Sequence, residues 1–503
     1  MTIQIDFAVT GLATPLSDPA QHVLVVIEKS MLDFSIDTSL QQIPYFQFLQ
    51  QKLQRLGKAA DTLIKAPIQA ESHDAVMLSW VIVDAQASTF QTHTVLRKAI
   101  QPLLDEQAQD IAVILCGAAP VIECMSMAVL YVAEVNTLQC PDKKSVPEPK
   151  RTLQHIRLYS TSHSQSEWQI AMAKPALWTQ AVAAGNRLCR ELTLKAPNEL
   201  DPMAYRQTVR NMAQQYGWTY QEHDMASLRK MGAGAFVAVA QGSAQEDAAI
   251  VHLTYHPTQA SKSIALVGKG ICFDTGGHNL KPAKYMHGMH QDMNGSAVAL
   301  GTLVAATIAK LNVKLDVWLA IAQNHISPTA YKQNDIVTAL NGTSIEIIHT
   351  DAEGRMVLAD TLTLASRLKP DCMVDYATLT GSMVTALAER YSGVIANRPT
   401  LADLAVKLGA QVGERVCAFP FDEDYDEEIE SKVADIKQCT LDGAADHIHA
   451  ARFLSKFIEH DVPWLHIDLS CYSHEGGLGA VSSDVNGFGV ALSMELLRQQ
   501  MTE

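Results

Sequence analysis

Apolar runs of strand length alternate with amphipathic stretches along most of this chain. Residues 22–28 (HVLVVIE), 75–83 (AVMLSWVIV) and 111–117 (IAVILCG) are almost continuously apolar, which predicts buried strands. Residues 47–56 (QFLQQKLQRL) and 94–104 (TVLRKAIQPLL) place their apolar positions at helical spacing. The alternation predicts a small α/β domain over residues 1–165. From 141 to 166 the chain turns polar and rich in Pro, Ser and Lys, which predicts a linker or an exposed crossing. A helical stretch follows over 167–195 and ends at APNELDP (196–202), so residues 166–200 read as a connecting helix; Pro175 inside it predicts a kink or a later helix start. Beyond residue 201 strands are expected at 263–269, 314–322, 344–348, 372–377 and 464–470, with helices between them. Residues 294–311, a helix rich in small side chains, suit close packing on a sheet. The expected fold is α/β: a C-terminal domain over 201–503 with a central mixed sheet flanked by helices, plus the smaller N-terminal α/β domain.

Composition narrows the choice. A chain of 503 residues exceeds what one core serves, and 48% hydrophobic residues suffice for a large one. A net charge of −15 without a long basic run argues against general binding to nucleic acid or anionic membranes. Nine cysteines without a CxxC pair indicate neither a disulfide framework nor a thiolate zinc site, and point to a reducing compartment. The first twenty residues lack the pattern of a secretory signal, and no apolar run reaches membrane-spanning length, so a cytoplasmic location is expected.

The chemistry concentrates in two segments, VGKGICFDTGGHNLKPAKYMHGMHQDM (267–293) and HTDAEGRMVLAD (349–360). They bring Asp274, Asp292, Asp351 and Glu353 together with Lys269, Lys281 and Arg355, all near the ends of predicted strands, where ligands bind in open α/β sheets. Asp351 and Glu353, two residues apart, point the same way if that segment is extended. Four gathered carboxylates require compensating positive charge, which two divalent ions would supply.

These segments resemble the leucine or cytosol aminopeptidases, two-metal exopeptidases with motifs close to NTDAEGRL and VGKGxxFDSGGxxxKP. The resemblance continues through DYATLTGS (375–382), AARFL (450–454), PWLHIDLS (463–470) and GFGV (487–490), and covers roughly residues 185 to 495. It implies a catalytic metallopeptidase domain and removal of N-terminal residues from peptides that carry a free α-amine. It further implies two divalent metal ions per subunit, Zn²⁺ or Mn²⁺, with Mg²⁺ or Co²⁺ also compatible with such ligands, and assembly as a homohexamer. By the same resemblance Asp274 and Glu353 bridge the metals, Asp351 completes one site, and Lys269 and Asp292 complete the other. Lys269 must then bind as a neutral amine. Lys281 stays charged and polarises the scissile carbonyl, while Arg355 holds a bicarbonate that shuttles the proton of the attacking water. Met289, Thr378, Leu379, Gly381, Ser470 and Ser473 fall at positions lining the pocket for the N-terminal side chain.

The chain departs from the family in places. His349 stands where Asn is usual, and Lys332-Gln333-Asn334-Asp335 replaces a run close to Arg-Pro-Gly-Asp. Two serines at 470 and 473 make the expected pocket more polar, so activity should extend to small or polar N-terminal residues. The same carboxylates would also serve another two-metal hydrolase, such as a phosphoesterase, and a DNA-linked binding role is a further alternative that the acidity opposes.

Overall fold

The computed structural model describes all residues except 1–2, 10–21, 33–45, 59, 72–75, 148–150, 161, 163, 244 and 501–503. The chain forms two compact units: Met1–Ala184 with Glu475–Asp484, and Gly185–His474 with Val485–Glu503. The boundary falls within one long helix, Gln165–Thr193, which runs through Pro175.

In the first unit, β1 (Gln4–Val9), β2 (His22–Glu28), β3 (Ile68–Glu71), β4 (Met77–Val83), β5 (Asp110–Cys116) and β6 (His155–Ser160) form a six-stranded sheet. Its order is β1-β6-β5-β2-β4-β3, parallel except where β3 meets β4. The central strand β2 explains the continuous apolar run, since side chains alternate between two covered faces. Leu24 and Val26 join one cluster with Leu96, Leu103 and Val129, whereas Val23, Val25 and Ile27 join the other with Phe46, Leu49 and Leu53.

Two expectations fail here. The predicted crossing at 141–166 contains β6, which pairs with both β1 and β5; 148–150, 161 and 163 of that stretch lie outside the described residues. Ile156 and Leu158 of β6 are buried, while the intervening Arg157 meets Asp110 at 3.5 Å, so polar residues alternating with apolar ones hid an interior strand. The Ala119–Asn136 helix is also long and apolar enough to cross a membrane. Glu123 and Glu134 interrupt its apolar run. In the fold it packs on the sheet through Ile122, Met125 and Val129, and Glu134 accepts the Ile3 amide at 3.2 Å.

In the second unit β7 (Thr219–Asp224), β8 (Ala249–Tyr255), β9 (Ser263–Asp274), β10 (Lys314–Asn324), β11 (Ile336–Thr338), β12 (Ser344–Glu346), β13 (Cys372–Ala377), β14 (Ser392–Ala396), β15 (Val416–Ala418), β16 (Ile436–Lys437) and β17 (Trp464–Asp468) form two sheets. The larger is mixed, in the order β15-β14-β17-β13-β9-β10-β8-β7, and the smaller is β11-β12-β16. The strand expected at 344–348 is thus only β12 and belongs to the small sheet, because its neighbours offer pairing for just three residues. The Asn294–Ile308 helix is buried on every side for most of its length. It lies so close to β9 that a Cβ on Gly268 would stand 2.4 Å from the Ser296 Cα.

Candidate metal centre

β9 runs parallel between β10 and β13, and it carries Lys269 in mid-strand, opposite Ala320, and Asp274 as its last residue. Asp274 therefore sits at a strand end as expected, whereas Lys269 is reached from the side of the sheet. Asp292 follows the short turn Met289–Gln291 and precedes the Asn294–Ile308 helix, whose close approach to β9 brings it over Lys269. Asp351 and Glu353 meet for a different reason from the extended alternation expected of them. The chain turns at 351–352 into the Glu353–Ser366 helix, so one residue lies before the helix and the other begins it.

Hydrogen bonds stitch the two sequence segments together. Thr350 Oγ1 donates to Gly276 O at 2.6 Å, the Asn279 amide donates to Thr350 Oγ1 at 2.8 Å, and the Thr350 amide donates to Asn279 Oδ1 at 2.8 Å. Asn324, at the end of β10, donates one amide to Asp274 Oδ1 at 2.8 Å and to Thr350 O at 3.0 Å. The 332–335 loop keeps its turn: Asn334 adopts φ +70°, a left-handed conformation Asn tolerates, and the Lys332 amide donates to Asp335 at 2.8 Å.

The result is a buried cluster of charge. Ligand oxygens of Asp274, Asp351 and Glu353 lie within 4.8 Å of one another, and among the described residues this is the one such convergence of acidic, cysteine or histidine side chains. Lys269 Nζ sits 2.8 Å from Asp292, 2.9 Å from Glu353 and 3.0 Å from the Thr378 carbonyl. Lys281 Nζ sits 3.0 Å from Asp274 and 2.5 Å from Asp351. Thr378 Oγ1 donates to Asp292 at 2.6 Å.

Burial pushes Asp274 well above the usual carboxylate range and Asp292 up to about 7; Asp351 is raised by burial and by the nearby Glu353 charge. Burial acts on Glu353 in the same sense, but Lys269 and Lys281 outweigh it and hold it low. For the lysines burial alone would lower the pKa; the surrounding carboxylates reverse this and hold both amines protonated.

Arg355 does not serve this cluster. Its Nη2 reaches both carboxylate oxygens of Asp446, at 2.8 and 2.9 Å, and its Nη1 donates to Gln438 O at 3.1 Å. Four carboxylates therefore face two lysines, which leaves about two negative charges uncompensated in a buried site, an arrangement that is costly without further cations. Glu353 Oε2 is moreover buried without a hydrogen-bond partner. Two divalent cations fit both features. Bicarbonate at Arg355 fits poorly, because Asp446 already takes Nη2 and Gln438 O takes Nη1, which leaves Nε alone unpartnered.

The expected pocket residues divide. Thr378 touches the cluster directly, as above. Met289 and Leu379 are half-buried, and Gly381 is exposed with open space where a Cβ would project. Ser470 is buried and donates its hydroxyl to Tyr391 O at 2.6 Å, so added pocket polarity rests on the half-buried Ser473. Among the described residues no histidine joins the cluster; His349 Nδ1 instead accepts the Asp351 amide at 3.3 Å. The positioning residue Asn324 and the arginine partner Asp446 had no role in the sequence reading. Asn324 left a signal, a buried-strand amide beside the motif, while Asp446 lies 91 residues from Arg355 and left none.

Residues 187–494 match the family described as cytosol aminopeptidase family, catalytic domain. A probable cytosol aminopeptidase of Corynebacterium diphtheriae is 35% identical over 385 residues, 76% of this chain and 74% of that protein. One of Persephonella marina is 37% identical over 58% of this chain and 59% of its own length. Among solved structures, the bottromycin maturation enzyme BotP in complex with Mn superposes with a TM-score of 0.81 at 27% identity, covering 96% of this chain and 99% of BotP. A tomato leucine aminopeptidase mutant shares the fold with a TM-score of 0.84 at 24% identity, covering 99% and 97% of the two chains.

Proposed function

The chain belongs to the cytosol aminopeptidase family of metal-dependent peptide hydrolases, and on that premise we propose that it removes the N-terminal residue from peptides with a free α-amine at the 267–293/349–360 centre. The observation that carries this reading is the convergence of Asp274, Asp351 and Glu353 beside the Lys269–Asp292 pair. Asp274 and Glu353 would bridge two ions, with Asp351 on one and Lys269 and Asp292 on the other. Mn²⁺ or Zn²⁺ are the ions proposed, Mn²⁺ drawing support from the similar BotP complex; Mg²⁺ and Co²⁺ suit the same oxygen-rich set. When bound, such ions supply the Lewis acidity that activates water and anchors an amine.

The residues of the chain do the rest. Lys269 would hold an ion only as the neutral amine, because only that form has a lone pair to donate. Lys281 remains protonated beside Asp274 and Asp351 and is placed to stabilise negative charge developing on the scissile carbonyl oxygen. Asn324 holds Asp274 in one orientation through its 2.8 Å bond. A cytoplasmic setting and a homohexameric assembly are part of the same proposal.

The test is a panel of aminoacyl chromogenic amides, their Nα-acetylated forms and phosphate monoesters, run on metal-stripped and metal-reloaded protein. Cleavage of the free-amine substrates only after reloading is expected. Full activity without metal, equal rates on acetylated substrates, or phosphate ester hydrolysis in place of amide hydrolysis would each overturn the reading.

A further inference from the structure

Among the described residues Arg355 is one of the largest fully buried side chains, and it lies in the first turn of the helix that Glu353 begins. A buried guanidinium beside a metal centre is a seat for a planar, bidentate anion. Here the chain fills that seat itself. Both oxygens of Asp446 lie within 2.9 Å of Arg355 Nη2. Asp446 is the first residue of the Asp446–Ser455 helix, and the residue before it, Ala445, is held at φ +50°, a conformation costly for a side chain with a Cβ. This strained entry delivers the carboxylate to Arg355. Gln438, whose carbonyl accepts from Arg355 Nη1, also donates its side-chain amide to Ala352 O at 2.9 Å and accepts the His349 amide at 3.2 Å, so the Arg355–Asp446 pair is tied to the segment that carries Asp351. The carboxylate is also partly open, with 21% of its side chain exposed, unlike the arginine it meets.

We propose that Asp446 is a tethered substitute for the exogenous anion at Arg355, so that this enzyme works without bicarbonate. The inference rests on the aminopeptidase reading for its kinetic arm. In the proposed role the Asp446 carboxylate accepts the proton released as water adds to the peptide carbonyl, and returns it to the departing amine nitrogen as the C–N bond breaks. No proton is gained or lost over the cycle, and no co-reactant is needed. A merely structural Arg355–Asp446 ion pair would also weaken the protein when broken, but an added anion would not repair its kinetics.

The experiment uses metal-loaded full-length protein in degassed buffer with and without added bicarbonate, alongside binding of ¹³C-bicarbonate followed by NMR. Wild type is expected to show equal rates in both buffers and no bound ¹³C-bicarbonate. Asp446→Ala opens the seat; its turnover should fall about 10²-fold, be restored severalfold by bicarbonate, and be accompanied by ¹³C-bicarbonate binding. Asp446→Asn keeps the shape and one of the two bonds to Arg355, through its carbonyl oxygen, but cannot take a proton, so it should be slow and stay slow with bicarbonate. Wild-type activity that collapses on degassing and returns with bicarbonate would overturn the proposal while leaving the peptidase reading intact. So would Asp446→Ala that is fully active, or that is slow, unrescued and unable to bind the anion. Absence of peptidase activity in all forms would count against the peptidase reading alone, since ¹³C-bicarbonate binding still reports whether the seat is filled.

Discussion

Gly354→Ala tests how tightly Lys269 is held at this centre. A Cβ at residue 354 would lie 2.7 Å from both Cε and Nζ of Lys269, where ordinary contact begins near 3.4 Å, so the amine must retreat by about 0.7 Å. A free lysine would swing away at little cost. This one is pinned by Asp292 at 2.8 Å, Glu353 at 2.9 Å and the Thr378 carbonyl at 3.0 Å, so a retreat lengthens contacts that also fix two proposed ligands. A misplacement near 1 Å typically costs about 10²-fold in rate, and a decline of about 10–10²-fold in kcat/KM with lowered occupancy of one metal is expected. Stability should fall by about 1–2 kcal/mol, because overpacking a buried site costs about 1–3 kcal/mol and the helix preference of alanine over glycine returns at most about 1. The assay combines metal content by mass spectrometry, steady-state kinetics, and urea unfolding of the stripped protein. A second arm makes the cause specific: in a Lys269→Ala background Gly354→Ala should cost almost nothing, since the atoms it collides with are gone. Wild-type metal content and rate in Gly354→Ala, or full additivity in the double variant, would refute the argument.

Further outcomes follow from the same geometry. Lys269→Ala and Lys269→Arg should both lose one metal, because guanidinium keeps its proton, whereas Lys281→Ala should retain both ions and slow turnover by about 10²–10³-fold; equal metal content in Lys269→Ala and wild type would remove Lys269 from the ligand set. Ser470→Ala should cost about 1 kcal/mol through its lost bond to Tyr391 and leave N-terminal residue preference unchanged, while Ser473→Ala should favour leucine over serine substrates by no more than about 1–3 kcal/mol; an unchanged ratio would show that Ser473 faces elsewhere. Burial pushes the His93 imidazole from 6.5 down to about 4, so between those values the unfolded chain binds the extra proton. Stability is then complete above about pH 6.5 and falls by at most about 3 kcal/mol as pH drops toward 4. His93→Gln should flatten that part of the melting-temperature profile, and an equally steep profile would sink the assignment.

What the sequence determined by itself was the chemistry and most of the layers. Four acidic residues and two lysines in two glycine-marked segments specify a multivalent cation site wherever the chain brings them together, because buried carboxylates demand opposite charge. The run HVLVVIE announced a strand covered on both faces, since burial on alternating sides is what accommodates five apolar residues in succession. Tertiary structure decided what depended on distant partners. β6 is an interior strand because β1 and β5 accept it on either side, which the polar residues around HIRLYS concealed. Asp351 and Glu353 converge through a turn into a helix, not through strand alternation, because the helix start is set by packing against the sheet. Above all, Arg355 looked like a third cation for the cluster, yet its charge is taken by Asp446 from 91 residues away. An ion pair costs little sequence information to form and leaves no period or spacing behind, so only the folded chain reveals which charges remain for the metals.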